Sequence, residues 1–257
     1  MKLNYKQYGT GEPVLILHGL MGSLDNWQTI AKKLAENEFA VYTIDLRNHG
    51  KSPHSIEFSY ELMCEDLLDF FKEHGIERAS IIGHSMGGKV AMKFALTHPN
   101  FIQKLIVVDI APVSYPDKHN IVFQALNHAS AASAVSREEV LGKLRDVLDE
   151  ESTIQFLMKN LQRSLHNSGA FEWKFNLPVL QQAYNLISKF DAGNLVFNGP
   201  ALFIKGNRSD YISDEMFKAS LVIFPNAKLV EINNSGHWVH AENPGDFVLA
   251  TVDFLKT

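Results

Sequence analysis

The chain has 257 residues, of which 46% are hydrophobic, and its formal net charge is -5. This size allows one sizeable core, either a large single domain or a domain with a cap. The acidic balance, without any stretch of clustered Lys and Arg, excludes the basic field that nucleic-acid binding needs. The only cysteine, Cys64, excludes an internal disulfide and favours a reducing compartment.

The N-terminal residues predict no targeting segment. No long apolar core precedes a cleavage site there, so a signal peptide is not expected. No apolar run approaches the roughly 20 residues that a membrane-spanning helix needs. We therefore expect a cytoplasmic protein with a small-molecule substrate and no membrane span.

Short apolar runs alternate with helical patterns along much of the chain. Strands are predicted at residues 14–17, 40–44, 80–82, 104–108, 201–204 and 227–232. Helices are predicted at residues 27–34, 60–74, 88–96, 214–224 and 245–254. This alternation is typical of a mostly parallel sheet with crossover helices, and it places the chain in the α/β class.

Residues 115–198 interrupt this alternation. Helical patterns follow one another there, at residues 121–132, 136–149, 154–161 and 178–190, and no convincing strand is found. Long excursions from compact domains are usually functional. We predict a helical cap over residues 115–198, inserted after the sixth strand, on a core formed by residues 1–114 and 199–257.

The segment GHSMG at residues 83–87 lies between a predicted strand and a predicted helix. A serine with glycines two residues away on either side, at such a junction, is typical of a nucleophile elbow. The turn leaves no room for side chains at Gly83 and Gly87, and it strains the backbone of Ser85. Ser85 is therefore the predicted nucleophile, at the N-terminus of a helix that favours negative charge.

A serine hydroxyl needs a base, and one of the 11 histidines fits that role. His237 directly follows the last predicted strand, in the order nucleophile, acid, base. His240 comes three residues later, and we interpret it as a packing or surface residue.

Two aspartates compete for the acid. Asp109 ends one predicted strand in an apolar context, and Asp210 follows a later strand, which is the more usual position in hydrolases. A carboxylate in the setting of Asp109 would be costly to bury without a partner such as an imidazole N–H. Asp45 is a third contender by position, but it precedes the serine.

The segment HGLMG at residues 18–22 follows the first buried strand. The backbone N–H groups of Leu20 and Met86 are the predicted oxyanion hole, and such donors contribute roughly 3–4 kcal/mol each in a transition state. His18 is interpreted mainly as a residue that fixes this loop, and His18 and Trp238 are candidate pocket residues. A pair between Asp45 and Arg47 is expected to pin the next loop.

Several longer strings carry a family resemblance over nearly the whole chain. They are LHGLMGS at residues 17–23, DLRNHGKSPH at 45–54, GHSMGGK at 83–89, VDIAPV at 108–113 and GHW at 236–238. Together they resemble the α/β-hydrolase superfamily, and in particular the bacterial YbfF-type esterases and related mitochondrial abhydrolase-domain proteins.

The resemblance implies the α/β-hydrolase fold and an esterase or thioesterase that needs no cofactor or metal, acting on short-chain esters or acyl-CoA thioesters. It also implies Asp109 as the acid, with Asp210 kept as the alternative because this chain has a carboxylate at both places. Two other functions use the same fold: a low-turnover ligand receptor or signalling module, and a carbon–carbon hydrolase or lyase.

Overall fold

A computed structural model describes residues 1–164 and 169–257. The strands in these residues are β1 (Tyr5–Tyr8), β2 (Glu12–Leu17), β3 (Phe39–Ile44), β4 (Ala79–His84), β5 (Ile102–Val108), β6 (Leu161–Arg163), β7 (Phe171–Trp173), β8 (Ala201–Gly206) and β9 (Ala227–Ile232). The helices are α1 (Gln28–Ala35), α2 (Tyr60–Glu73), α3 (Met86–Thr97), α4 (Asn120–Ala129), α5 (Arg137–Arg145), α6 (Glu151–Lys159), α7 (Leu177–Gln182), α8 (Tyr184–Ile187), α9 (Asp214–Ser220), α10 (Val239–Glu242) and α11 (Pro244–Lys256).

Seven strands form a central sheet in the order β1-β3-β2-β4-β5-β8-β9. All neighbours are parallel except β1, which pairs antiparallel with β3 at the edge. The predicted fold class is therefore confirmed. The edge strand β1 was missed because its sequence, Tyr-Lys-Gln-Tyr, is mostly exposed and lacks an apolar pattern.

Apolar side chains cover both faces of the sheet, which explains why its strands are continuous apolar runs. Leu15 and Leu17 of β2 belong to a buried cluster that includes α2 and α3. Val14 and Ile16, which point the other way, belong to a second cluster with α1 and α11. All parallel strands end at the same edge of the sheet, where β2, β4, β5 and β8 deliver the loops described below.

The segment 115–198, called the cap segment from here on, departs from two expectations. It follows β5, so its predicted place after the sixth strand is wrong, because only five strands precede Asp109. It also contains the antiparallel hairpin β6–β7, where no strand was expected. Strands of three residues are too short to show an alternating pattern, and Leu161, predicted in a helix, begins β6. Residues 165–168 of the segment lie outside the described residues.

Polar contacts join the cap segment to the sheet domain. The Asn176 amide donates to the Asn48 carbonyl oxygen at 2.9 Å, and the Ser23 hydroxyl donates to Asn160 Oδ1 at 3.0 Å. The buried ammonium of Lys89, on α3, donates to the carbonyl oxygens of residues 187–189 at 2.7–3.2 Å. These contacts hold the segment over the carboxyl edge of the sheet.

Candidate active site

Ser85 occupies a strained turn between β4 and α3. Its φ and ψ angles are 51° and -116°, in the left-handed half of backbone space. A Cβ on Gly83 would lie 2.3 Å from the Gly87 carbonyl oxygen, and one on Gly87 would lie 2.4 Å from the Leu17 carbonyl oxygen. Because only hydrogen fits at both positions, the two glycines allow the sharp turn that the sequence predicted.

Asp109 follows β5 directly and is completely buried. Its Oδ1 accepts a hydrogen bond from the Gly206 amide at 3.1 Å, and its Oδ2 accepts one from the Ser209 hydroxyl. Oδ2 also lies 2.7 Å from His237 Nδ1. Because an ionised carboxylate only accepts, the His237 proton sits on Nδ1 and Nε2 is free to accept one.

Two further groups of the sheet domain orient His237. The Tyr211 ring stacks on the imidazole, with centroids 3.9 Å apart and an interplanar angle of 21°. His84 Nε2–H donates to the His237 carbonyl oxygen at 2.9 Å. Burial holds the pKa of His84 well below its usual value, so this histidine is a neutral structural donor.

Ser85 and His237 line one cavity, and no hydrogen bond joins their side chains in the part of the chain that is described. Such bonds are commonly long in enzymes without substrate and tighten when it binds. The arrangement brings Ser85 after β4, Asp109 after β5 and His237 after β9 to the same edge of the sheet.

Asp210, the alternative acid, points elsewhere. Its side chain is 78% exposed and pairs with Lys118 Nζ at 2.6 Å. The hydrogen bond from Lys118 lowers the pKa of this carboxyl group, as is usual for a carboxylate in a surface ion pair. The structure brings Asp109, and not Asp210, into hydrogen-bond contact with His237.

Leu20 and Met86, the predicted oxyanion donors, both line the space beside Ser85. A Cβ on Gly19 would lie 3.3 Å from Ser85 Cβ, so the loop after β2 closely approaches the serine. Met86 is the first residue of α3, and N–H groups of a first helical turn have no partner within the helix. Both residues therefore lie beside Ser85, and their role as oxyanion donors stays a prediction.

The two candidate pocket residues differ in position. Trp238 lines the cavity at Ser85, and its ring centroid lies 5.5 Å from that of Phe156 in the cap segment. His18 is buried and does not line the cavities at Ser85. Its Nε2 accepts the Leu46 amide at 3.0 Å, which agrees with the loop-fixing role. The other prediction, that His18 lines the substrate pocket at Ser85, is wrong.

The expected pair between Asp45 and Arg47 is also wrong. Arg47 donates instead to both oxygens of Asp66, at 2.7 and 2.9 Å, and both residues are buried. Asp45 accepts the amides of Leu24 and Lys51 at 2.8 and 2.9 Å. Both arrangements stabilise the loop after β3, because the buried charges of Arg47 and Asp45 are satisfied by partners in α2, in the same loop and in the segment after β2.

Two cavities meet at Ser85. The large one, about 830 Å³, is lined by His237, Trp238 and Phe156. The small one, about 30 Å³, extends beneath Met86 toward Ile110 and Ile187 and does not include His237. Residues common to both linings are Leu20, Ser85, Lys118, His119 and Tyr211.

Sequence reasoning missed three residues of this site. Ser209 and Tyr211 flank Asp210, so the loop was found but its contacting residues were not. His119 lies in the cap segment, where no motif distinguishes it from other histidines.

Within the described residues, no group of three His, Cys, Asp or Glu side chains could hold a metal ion. No helix among them is long and apolar enough to cross a membrane.

Known proteins resemble this chain over its whole length. The family model for the alpha/beta hydrolase fold matches residues 12–129. The chain is 38% identical to "Esterase YbfF" of Escherichia coli K12, covering 98% of each sequence. The chain belongs to the α/β-hydrolase family.

Further relatives indicate the kind of α/β hydrolase. The "sn-1-specific diacylglycerol lipase ABHD11" of Danio rerio is 37% identical, with 96% of this chain and 80% of that protein covered. A solved "Marine microorganism esterase" is 42% identical with a TM-score of 0.94, covering 98% of this chain and 99% of that one. This α/β hydrolase is thus an enzyme of the esterase and lipase type.

Proposed function

We propose that this α/β hydrolase cleaves carboxylic esters through an acyl-enzyme on Ser85. The observation that carries the proposal is the 2.7 Å contact between Asp109 Oδ2 and His237 Nδ1. That contact directs the basic Nε2 of His237 away from Asp109, in a cavity that also exposes Ser85. Asp109 keeps the imidazole in this tautomer and stabilises its charged form.

The reaction has two halves. His237 Nε2 takes the Ser85 proton while the serine oxygen attacks the ester carbonyl, and the Leu20 and Met86 N–H groups stabilise the oxyanion. The intermediate collapses as His237 protonates the leaving oxygen, which releases the alcohol and leaves the acyl group on Ser85. Water, deprotonated by His237, then attacks the acyl-enzyme and releases the acid.

The two cavities assign the two ends of the substrate. The leaving oxygen must reach His237, so the alcohol occupies the large cavity that His237 lines. The acyl group points toward the small cavity, which contains Met86 but not His237 and whose volume of about 30 Å³ admits only its first atoms. Small-molecule esters with a short acyl chain and a larger alcohol fit best, and acyl-CoA thioesters are a second candidate because the same steps release a thiol.

The assignment of the acid is tested by paired variants. Purified wild type, Ser85→Ala, Asp109→Asn and Asp210→Asn are assayed on p-nitrophenyl acetate and butyrate. Ser85→Ala should abolish turnover, and Asp109→Asn should lower kcat by about 10⁴-fold because the imidazole adopts the wrong tautomer. Asp210→Asn, which loses only a surface ion pair, should stay within about 3-fold of wild type.

Two results would contradict the proposal. Equal rates for wild type and Ser85→Ala would remove the nucleophile, and a near-normal Asp109→Asn beside an inactive Asp210→Asn would exchange the acids. A stable covalent adduct on Ser85 without repeated turnover would favour a low-turnover receptor.

We also propose a cytoplasmic location, on the basis of the single cysteine, Cys64, which is a free and buried thiol.

A further inference from the structure

His119 lies at the junction of the two cavities and has no role in the reaction steps above. Its side chain lines both the small and the large cavity, next to Ser85. It directly precedes α4 and so belongs to the cap segment, whereas Ser85 and His237 belong to the sheet domain. An ester whose two ends occupy the two cavities therefore passes this imidazole.

A tyrosine fixes the proton of His119. His119 Nδ1 lies 2.6 Å from the Tyr184 hydroxyl oxygen. The backbone N–H groups of Lys118 and His119 also act on that oxygen and oppose the rise that burial causes in the pKa of Tyr184. In the arrangement inferred below, the Tyr184 hydroxyl donates to His119 Nδ1. The imidazole proton is then on Nε2.

The surroundings keep His119 uncharged. Burial lowers its pKa to about 4, and the nearby His237 acts in the same direction. A neutral ring offers one N–H donor without adding positive charge next to the imidazolium that forms on His237 during attack. The edge of the Phe123 ring packs on Tyr184, with centroids 5.3 Å apart at 73°, and this contact holds the pair in place.

We propose that His119 is a substrate-binding residue whose Nε2–H donates a hydrogen bond to an uncharged oxygen on the leaving group. Tyr184 is its positioning residue. The inference rests on the proposed function, because the position of the leaving group follows from the role of His237. The alcohol side is chosen because His119 shares the large cavity with His237, while the small cavity holds only a short acyl group.

Isosteric esters test the inference. Butyl butyrate and 2-methoxyethyl butyrate differ by one CH₂-to-oxygen exchange on the alcohol side. Butyl methoxyacetate carries the same exchange on the acyl side. Initial rates are measured by titrating the released acid, and each ester's kcat/KM is compared between variants, so that intrinsic differences in ester reactivity cancel.

His119→Leu should lower kcat/KM for 2-methoxyethyl butyrate about 10-fold, because one neutral hydrogen bond is lost. The rates for butyl butyrate and butyl methoxyacetate should change by less than about 3-fold. His119→Gln, which keeps a neutral N–H donor, should restore most of the selectivity. Tyr184→Phe should lose part of it, since the ring remains but its proton is no longer fixed.

His128→Leu is the matched control, because this exposed histidine on the same cap segment pairs only with Asp146. Its ester selectivity should equal that of the wild type, and thermal melts should establish that all variants are folded. Equal losses on all three esters, or a loss confined to butyl methoxyacetate, would overturn the inference while leaving the proposed function intact. Absence of Ser85-dependent turnover on all three would overturn both.

Discussion

At the scale of single residues, the buried carboxylate of Asp109 is the most constrained group of the site. Its oxygens accept from the Gly206 amide, the Ser209 hydroxyl and the His237 ring. Ser209 in turn accepts the Tyr211 amide at 3.3 Å, and the Tyr211 ring stacks on His237. One hydroxyl therefore connects both the carboxylate and the stacking ring to the same loop.

This connection gives a prediction for Ser209. Ser209→Ala leaves Asp109 charged and bonded to His237, but it removes one donor from a buried carboxylate and one acceptor from Tyr211. We expect kcat to fall about 10-fold with little change in KM, because the base is less well oriented. Ser209→Thr, which keeps the hydroxyl, should recover most of kcat.

The control for Ser209 is Ser133→Ala, which removes an exposed hydroxyl of the cap segment that donates only to the Ser130 carbonyl oxygen. Its kcat should equal that of the wild type. An unchanged kcat in Ser209→Ala, or a loss that Ser209→Thr does not restore, would contradict the orienting role.

The residues of the site show how far sequence reasoning reached. Ser85 and His237 were predicted from strand ends and glycine spacing, whereas Asp109 was predicted from the family resemblance. The choice between Asp109 and Asp210 required a three-dimensional contact, since both follow strands at the same edge of the sheet. The pair of Asp45 was misjudged because its partner Leu24 is distant in sequence, whereas the contact of His18 with Leu46 agrees with its main interpretation as a loop-fixing residue.

At the scale of elements, Lys89 links two parts of the chain that are distant in sequence. It lies on α3, one turn after Ser85, and its ammonium donates to the carbonyl oxygens of residues 187–189 just where α8 ends. Burial lowers the pKa of Lys89 to about 7. Through Lys89, helix α3 thus donates to carbonyl groups at the end of α8 that have no partner within a helix.

Loss of this ammonium should loosen the cap segment. Lys89→Met keeps the length of the side chain but removes a buried donor from three carbonyl groups. The carbonyl groups of Ile187 and Ser188 keep a second donor, the Tyr60 hydroxyl and the Tyr115 amide, so we expect the free energy of unfolding to fall by about 1–2 kcal/mol. Chemical denaturation followed by circular dichroism measures this loss.

Lys93→Met, one turn further along α3, is the matched control. Lys93 Nζ reaches only the Asp191 carbonyl oxygen and Glu61, each at 3.2 Å near the surface. Its loss should stay within about 0.5 kcal/mol. Equal losses in the two variants would show that the buried ammonium has no special role.

Prediction of elements depended on burial. The strands β2 to β5 were found because both faces are covered and their sequences are apolar throughout. The hairpin β6–β7 was missed because its cross-strand contact is polar, with Gln162 Nε2 donating to Glu172 Oε1 at 2.9 Å. The run predicted as one helix over residues 178–190 is divided into α7 and α8 at Ala183.

At the scale of the whole molecule, one apolar cluster spans the sheet domain and the cap segment. It contains Leu67 and Phe94 of the sheet domain together with Leu144 and Trp173 of the cap segment. A shared core couples the unfolding of the parts that build it. The cap segment is therefore not expected to unfold as an independent domain.

A single unfolding transition follows from this shared core. Far-ultraviolet circular dichroism and tryptophan fluorescence should give the same denaturation midpoint, because Trp27 lies in the sheet domain and Trp173 in the cap segment. Trp173→Phe, which removes the cap reporter, should leave the agreement between the two signals intact. Two separate midpoints would show that the cap segment unfolds on its own.

The groups that hold His237 have a consequence for engineering. Asp109 and His84, which bond to it, Tyr211, which stacks on it, and Ser209, which donates to Asp109, all come from outside residues 115–198. In the proposed mechanism, proton transfer thus depends on none of the residues of the cap segment. We therefore expect a chimaera that carries residues 115–198 of a relative to keep ester hydrolysis and to change its substrate selectivity. Residue 89 should be taken from the same relative, because it contacts residues 187–189.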